Sequence, residues 1–134
     1  MKRVLASGVF DIIHAGHLFY LAEAKALGSY LVVVVASDSH AESSKRKPLH
    51  DAAERAEIVG ALRVVDEVII GADPYDLVAT TRAANPDIIA IGYDQSFNEG
   101  ELRQELAAHD IGVEVTRLTE FPRGSRKTRL ITKR

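Results

Sequence analysis

Apolar positions along the chain fall into short runs separated by stretches with helical spacing. Residues 3–7 (RVLAS) and 30–36 (YLVVVVA) read as strands, and the second is apolar without alternation. A run of that kind suits a parallel strand covered on both faces. Between them, Ala15 to Leu27 carries Leu18, Leu21, Ala22 and Ala24 at helical spacing, and Gly28 stops the helix. The unit is strand, loop, helix, strand, with a right-handed crossover expected. The pattern then repeats. Residues 51–63 read as a helix capped by Asp51, and 65–71 as a strand. Asp73-Pro74 opens a helix running to about Ala84, which Asn85-Pro86 ends. Residues 87–92 are a strand, Glu99 to His109 a helix and 113–118 a last strand. Five strands alternating with helices predict an α/β fold, an open doubly wound parallel sheet in one domain spanning 1–134. The longest polar connection is 37–50, and long loops in compact domains are often functional.

Composition narrows the chemistry. A chain of 134 residues suits one core, and the absence of cysteine excludes disulfides, thiol nucleophiles and cysteine-bound metals. It fits a reducing, cytoplasmic setting. The opening MKRVLASGVF is too short an apolar run for a signal peptide. The longest clearly apolar stretch, Leu31 to Ala36, is far below the ~20 residues that span a bilayer, so no membrane partner is expected. The net charge of −2 hides an asymmetry: Arg117 to Arg134 holds seven Lys/Arg against Glu120 alone. Such an end can meet phosphates, nucleic acid or an acidic face, or be a solvated tail. Phe121 is its only aromatic residue, so stacking on nucleic-acid bases is not expected.

Ligands of open α/β sheets bind at the carboxyl ends of the strands, near the topological switch point. The first such end is GVFDIIHAGH, residues 8–17. Gly8 permits a tight exit from the strand, and His14 and His17 flank Gly16 at the start of the next helix. That helix N-terminus is an anion site, where two imidazoles three residues apart share one side of the first turn. Two other readings stand beside this one. A histidine pair can ligate a metal, although no third ligand is evident nearby, and it can be purely structural.

The segment GVFDIIHAGHLFYLAEAKALG resembles the signature of the cytidylyltransferase-like nucleotidyltransferases. That family includes glycerol-3-phosphate and phosphocholine cytidylyltransferases, phosphopantetheine adenylyltransferase and archaeal FMN adenylyltransferases. Its G-x-F-D-x-x-H-x-G-H motif is matched by Gly8, Phe10, Asp11, His14, Gly16 and His17. The resemblance covers residues 4 to about 118. It implies a Rossmann-like fold, a homodimer, a divalent cation such as Mg²⁺, and direct in-line transfer without a covalent enzyme intermediate. His14, His17 and Lys47 would be catalytic. Gly8, Val9, Phe10 and Gly16 would bind nucleotide beside the histidines. Lys45 and Lys47, in Lys45-Arg46-Lys47-Pro48, would face substrate phosphates. Arg55 of the Glu54-Arg55 pair could bind phosphate or serve the structure, and Asp11 would meet substrate.

Gly92-Tyr93-Asp94-Gln95 resembles the archaeal FMN adenylyltransferases at the end of the fourth strand. Gly92 and Asp94 would then hold nucleotide, and Tyr93 would stack on substrate or pack. The match weakens at Arg123-Gly124-Ser125-Arg126-Lys127-Thr128, where the family carries a Ser/Thr-rich phosphate signature. Arg123, Ser125 and Thr128 keep part of it, and Arg126 and Lys127 replace small hydroxyl residues. The substrates implied are ATP as donor and FMN as phosphorylated acceptor. CTP with glycerol 3-phosphate is the alternative, and a non-catalytic nucleotide-binding module is a third.

Overall fold

A computed structural model describes residues 2–42 and 47–121. Lys45, Arg123, Ser125 and Thr128, expected at the phosphates, lie outside the described residues. Five strands, β1 (Arg3–Gly8), β2 (Tyr30–Val35), β3 (Glu67–Ile70), β4 (Ile88–Ile91) and β5 (Glu114–Arg117), form one sheet. Every pairing is parallel, in the order β3-β2-β1-β4-β5. The helices are α1 (Ala15–Ala26), α2 (Asp38–Glu42), α3 (Ala52–Gly60), α4 (Leu77–Ala84) and α5 (Glu99–Ala107).

The unbroken apolar run of β2 feeds two cores because successive side chains point to opposite faces. Leu31, Val33 and Val35 join Leu21 and Ala24 of α1 and Val59 of α3 on one face. Val32 and Val34 join Ala84 of α4 and Leu102 and Leu106 of α5 on the other. β4 divides likewise, with Ile88 and Ala90 on the α1 face and Ile89 and Ile91 on the α5 face. Burying each large apolar side chain is worth about 1.5–3 kcal/mol, so a polar residue anywhere in 31–35 would expose or break one core. The sheet is the doubly wound one expected, and its strand order reverses between β1 and β4.

Two local expectations change. The connection 37–50 contains the short helix α2, started by the buried Ser37, whose Oγ accepts from the His40 N–H at 3.3 Å. α4 begins at Leu77 rather than at Asp73-Pro74, because Asp76 is the cap: its Oδ1 accepts from the Ala79 N–H at 3.0 Å. Asp73 is engaged elsewhere, accepting from the Ser39 hydroxyl at 2.6 Å. Among the described residues no helix is long and apolar enough to cross a membrane.

Candidate active site

β1 and β4 part at their carboxyl ends, and the segments that leave them line a cleft of about 770 Å³. After Gly8 the chain turns through Phe10, whose φ of 55° is left-handed. That conformation costs a non-glycine residue about 1–2 kcal/mol. Burial of the Phe10 ring, 3% exposed in the α1-side core, offsets it. The turn sends the chain straight into α1.

His14 is the N-cap of α1, with extended backbone, and its Nδ1 accepts from the Gly16 N–H at 3.0 Å. His17, at the third helical position, accepts the His14 N–H on its own Nδ1 at 3.2 Å. This is a capping box in which imidazoles do the work usually done by Ser/Thr and Glu/Gln. Because both Nδ1 atoms receive backbone N–H groups, the neutral rings carry their protons on Nε2. The rings lie 3.9 Å apart between centroids, tilted by 31°, and the edge of Phe10 packs against His17. Burial, and then the neighbouring His14, push the pKa of His17 down to about 4. His17 is therefore a neutral donor near pH 7. Gly16 leaves room for this arrangement: a Cβ there would stand 2.9 Å from the His14 ring, which would have to shift.

Asp11 lines the same cleft, and its carboxylate accepts the backbone N–H groups of Leu49 at 2.9 Å and His50 at 3.0 Å. The Leu49 N–H is the main cause holding the Asp11 carboxyl below the ordinary range, against a smaller opposing effect of burial. Asp11 thus ties down the segment that brings Lys47 and Pro48 to the cleft. Across the switch point stand Gly92, Tyr93, Asp94 and Gln95. Asp94 is exposed and makes no hydrogen bond to the described residues. The Gln95 amide turns inward, accepting from the Gly92 N–H at 2.8 Å and donating to Ser7 O at 3.0 Å.

The cleft therefore gathers Gly8, Val9, Phe10, Asp11, His14, Gly16 and His17 from one strand end, Lys47 from the loop, and Gly92, Tyr93 and Asp94 from the other strand. Arg55 is the exception. Its side chain is fully buried and outside the cleft. It donates to the carbonyls of His50, Val9 and Ala36 and to Asp38 Oδ1, at 2.9 to 3.1 Å. With these donors spent on the loops after β1 and β2, Arg55 fastens the segments that flank the site, and its side chain does not line the cleft.

A second cavity, of about 190 Å³, opens on the α4–α5 face of the same strand ends. Its lining is mostly apolar, with Leu5, Ile89 and Leu102 in the wall. Tyr75 and Phe97 also line it, and Tyr75 stacks on His40, with ring centroids 4.3 Å apart and planes within 11°. Ser7, Gly8, Val9 and Gln95 line both spaces, so the end of β1 and the Gln95 amide lie between them. Neither Tyr75 nor His40 carries a signal of such a role in the sequence, because the two lie 35 positions apart along the chain.

Among the described residues no group of three or more His, Cys, Asp or Glu could hold a metal ion. Asp11 is already engaged by two N–H groups. These residues do not fit a protein-built cation cage.

Known proteins resemble this chain along most of its length. Residues 5–133 match the model of the cytidylyltransferase-like family. The FAD synthase of Thermococcus onnurineus is 49% identical over 120 residues, covering 87% of this chain and 78% of that protein. The FAD synthase of Thermoplasma acidophilum is 40% identical over 134 residues, covering 100% of this chain and 94% of that one. A crystal structure from Thermoplasma volcanium, described as a lipopolysaccharide core biosynthesis protein, superposes with a TM-score of 0.87 at 44% identity. It covers 90% of this chain and 98% of that one.

Proposed function

The chain belongs to the cytidylyltransferase-like family, and from that premise we propose that it transfers AMP from ATP to FMN, giving FAD and pyrophosphate. The observation that carries this reading is the meeting of two unlike spaces at the end of β1. One is lined by two imidazoles and a lysine, the other by apolar and aromatic side chains.

The triphosphate lies in the larger cleft, over the N-terminus of α1. The Nε2–H groups of His14 and His17 donate to its oxygens, and Lys47 adds a positive charge. A phosphate oxygen of FMN attacks the α-phosphorus. A P–O bond forms to FMN as the bond between the α-phosphorus and the bridging oxygen breaks, and pyrophosphate leaves with that electron pair. Negative charge grows on the phosphoryl oxygens, and donors fixed in advance by the capping box need no reorganisation to meet it. No side chain acts as nucleophile.

The acceptor's flat, largely apolar ring system suits the second cavity, with Tyr75 and Phe97 at its edge. This favours FMN over glycerol 3-phosphate, which has no apolar part to place there. The test is pyrophosphate release by the purified protein with Mg²⁺, crossing ATP and CTP against FMN and glycerol 3-phosphate. Release and FAD formation only with ATP plus FMN is expected. Release only with CTP plus glycerol 3-phosphate would overturn the assignment.

A further inference from the structure

The guanidinium of Arg117, the last residue of β5, makes more contacts than any strand architecture requires. Its Nη1 donates to the carbonyls of Gly92 at 3.1 Å, Tyr93 at 3.1 Å and Gln95 at 2.9 Å. Its Nη2 donates to the carbonyl of Phe97 and to Glu99 Oε1, the latter at 2.9 Å. Its Nε donates to Glu99 Oε2 at 3.1 Å. The connection 92–97 is thus curled around one side chain, and Glu99, in the first turn of α5, aims that side chain through a two-point pair.

The curled segment borders both spaces. Gly92, Tyr93 and Asp94 line the larger cleft, Phe97 lines the apolar cavity, and Gln95 lines both. We propose that Arg117 is the positioning residue for both substrates, setting nucleotide and acceptor sites together by holding 92–97. The inference rests on the two-substrate reading above. The planar fork of arginine spreads five donors in fixed directions over several carbonyls at once, whereas the three donors of lysine radiate from one point on a flexible stem. Arg117→Lys is therefore a severe change at this site. The pairing also shows electrostatically: Arg117 holds the Glu99 carboxyl below its usual range, and Glu99 raises Arg117.

The experiment is steady-state kinetics of Arg117→Lys and Arg117→Ala, with thermal melts and amide hydrogen exchange. Arg82→Ala is the control, since Arg82 is an exposed arginine that donates to the carbonyl of His109, away from both spaces. In Arg117→Lys the KM for ATP and the KM for FMN should each rise roughly tenfold, because small displacements of positioning groups carry effects of that order or larger. Added guanidinium, kept well below denaturing concentrations, should recover part of the loss in Arg117→Ala. Wild-type KM values in Arg117→Lys would overturn the proposal whatever its melting temperature, and so would a rise in only one of them. If Arg117→Ala fails to fold, the lysine variant decides. If the wild type makes no FAD, the two-substrate reading fails by itself. Hydrogen exchange then decides for Arg117: faster amides in 92–97 of the lysine variant support the clamp, and unchanged amides overturn it.

Discussion

His14 and His17 each do two things with one ring in the proposed mechanism: Nδ1 caps the helix, and Nε2–H is left to donate to the phosphates. Removing either ring should lower turnover by roughly 10²-fold, as loss of a fixed donor to transition-state charge does. Single-turnover rates of His14→Ala and His17→Ala would show it, and wild-type rates would sink the mechanism. The low pKa of His17, about 4 against 6.5 unperturbed, makes a separate prediction. The unfolded chain takes up this proton first as pH falls. The contribution of His17 to stability is therefore complete above about pH 6.5 and is lost progressively toward pH 4. Gln at this position keeps the capping box but does not titrate. Urea melts from pH 4 to 7 should show a shallower loss in His17→Gln than in the wild type. Gly16→Ala should displace the His14 ring, with which its Cβ would collide, and lower turnover with little change in melting temperature.

At the scale of elements, the loops after β1 and β2 are fastened from two sides. Asp11 holds the N–H groups of Leu49 and His50, and Arg55 of α3 holds the carbonyls of Val9, Ala36 and His50. Arg55→Ala would leave these carbonyls without their partner inside the fold and open a hole where the side chain was. The expected loss is about 3 kcal/mol or more, read from chemical denaturation, since breaking buried polar networks costs that much. Asp11→Ala should act differently. The carboxylate is at the edge of the cleft, so stability changes little, but Lys47 loses its placement and the KM for ATP rises. A melting point that collapses together with activity would argue against this division.

For the whole molecule, the important feature is that a single strand end serves two spaces, one carrying two imidazoles and a lysine and the other mostly apolar. The order β3-β2-β1-β4-β5 puts β1 at the centre, so its exit is reached from both faces of the sheet. The proposed function divides the substrates accordingly. Tyr75→Ala should raise the KM for FMN roughly tenfold while leaving that for ATP near wild type, given that aromatic pairings are worth about 0.5–1.5 kcal/mol beyond their burial. Tyr93→Ala, on the other side, should affect ATP first. Equal effects of both variants on both substrates would remove the division.

Much of this was legible along the chain because it is local. Unbroken apolar runs at YLVVVV and DIIAIG, with helices between, determined the doubly wound sheet, since a strand apolar at every position has to be covered on both faces. GVFDIIHAGH is a contiguous segment, so the strand exit, the helix start and both imidazoles could be read together. Arg55, by contrast, is an arginine in an amphipathic helix by sequence, and only packing turned it inward, out of the lining of the cleft. Gln95 reaches Ser7 across 88 positions, and Arg117 gathers carbonyls from 20 to 25 positions away. Their partners are backbone groups, which every residue carries and no sequence can mark. Which side chains close the wall between the two spaces is therefore decided by how the strand ends are brought together in the sheet, and that is a property of the tertiary structure alone.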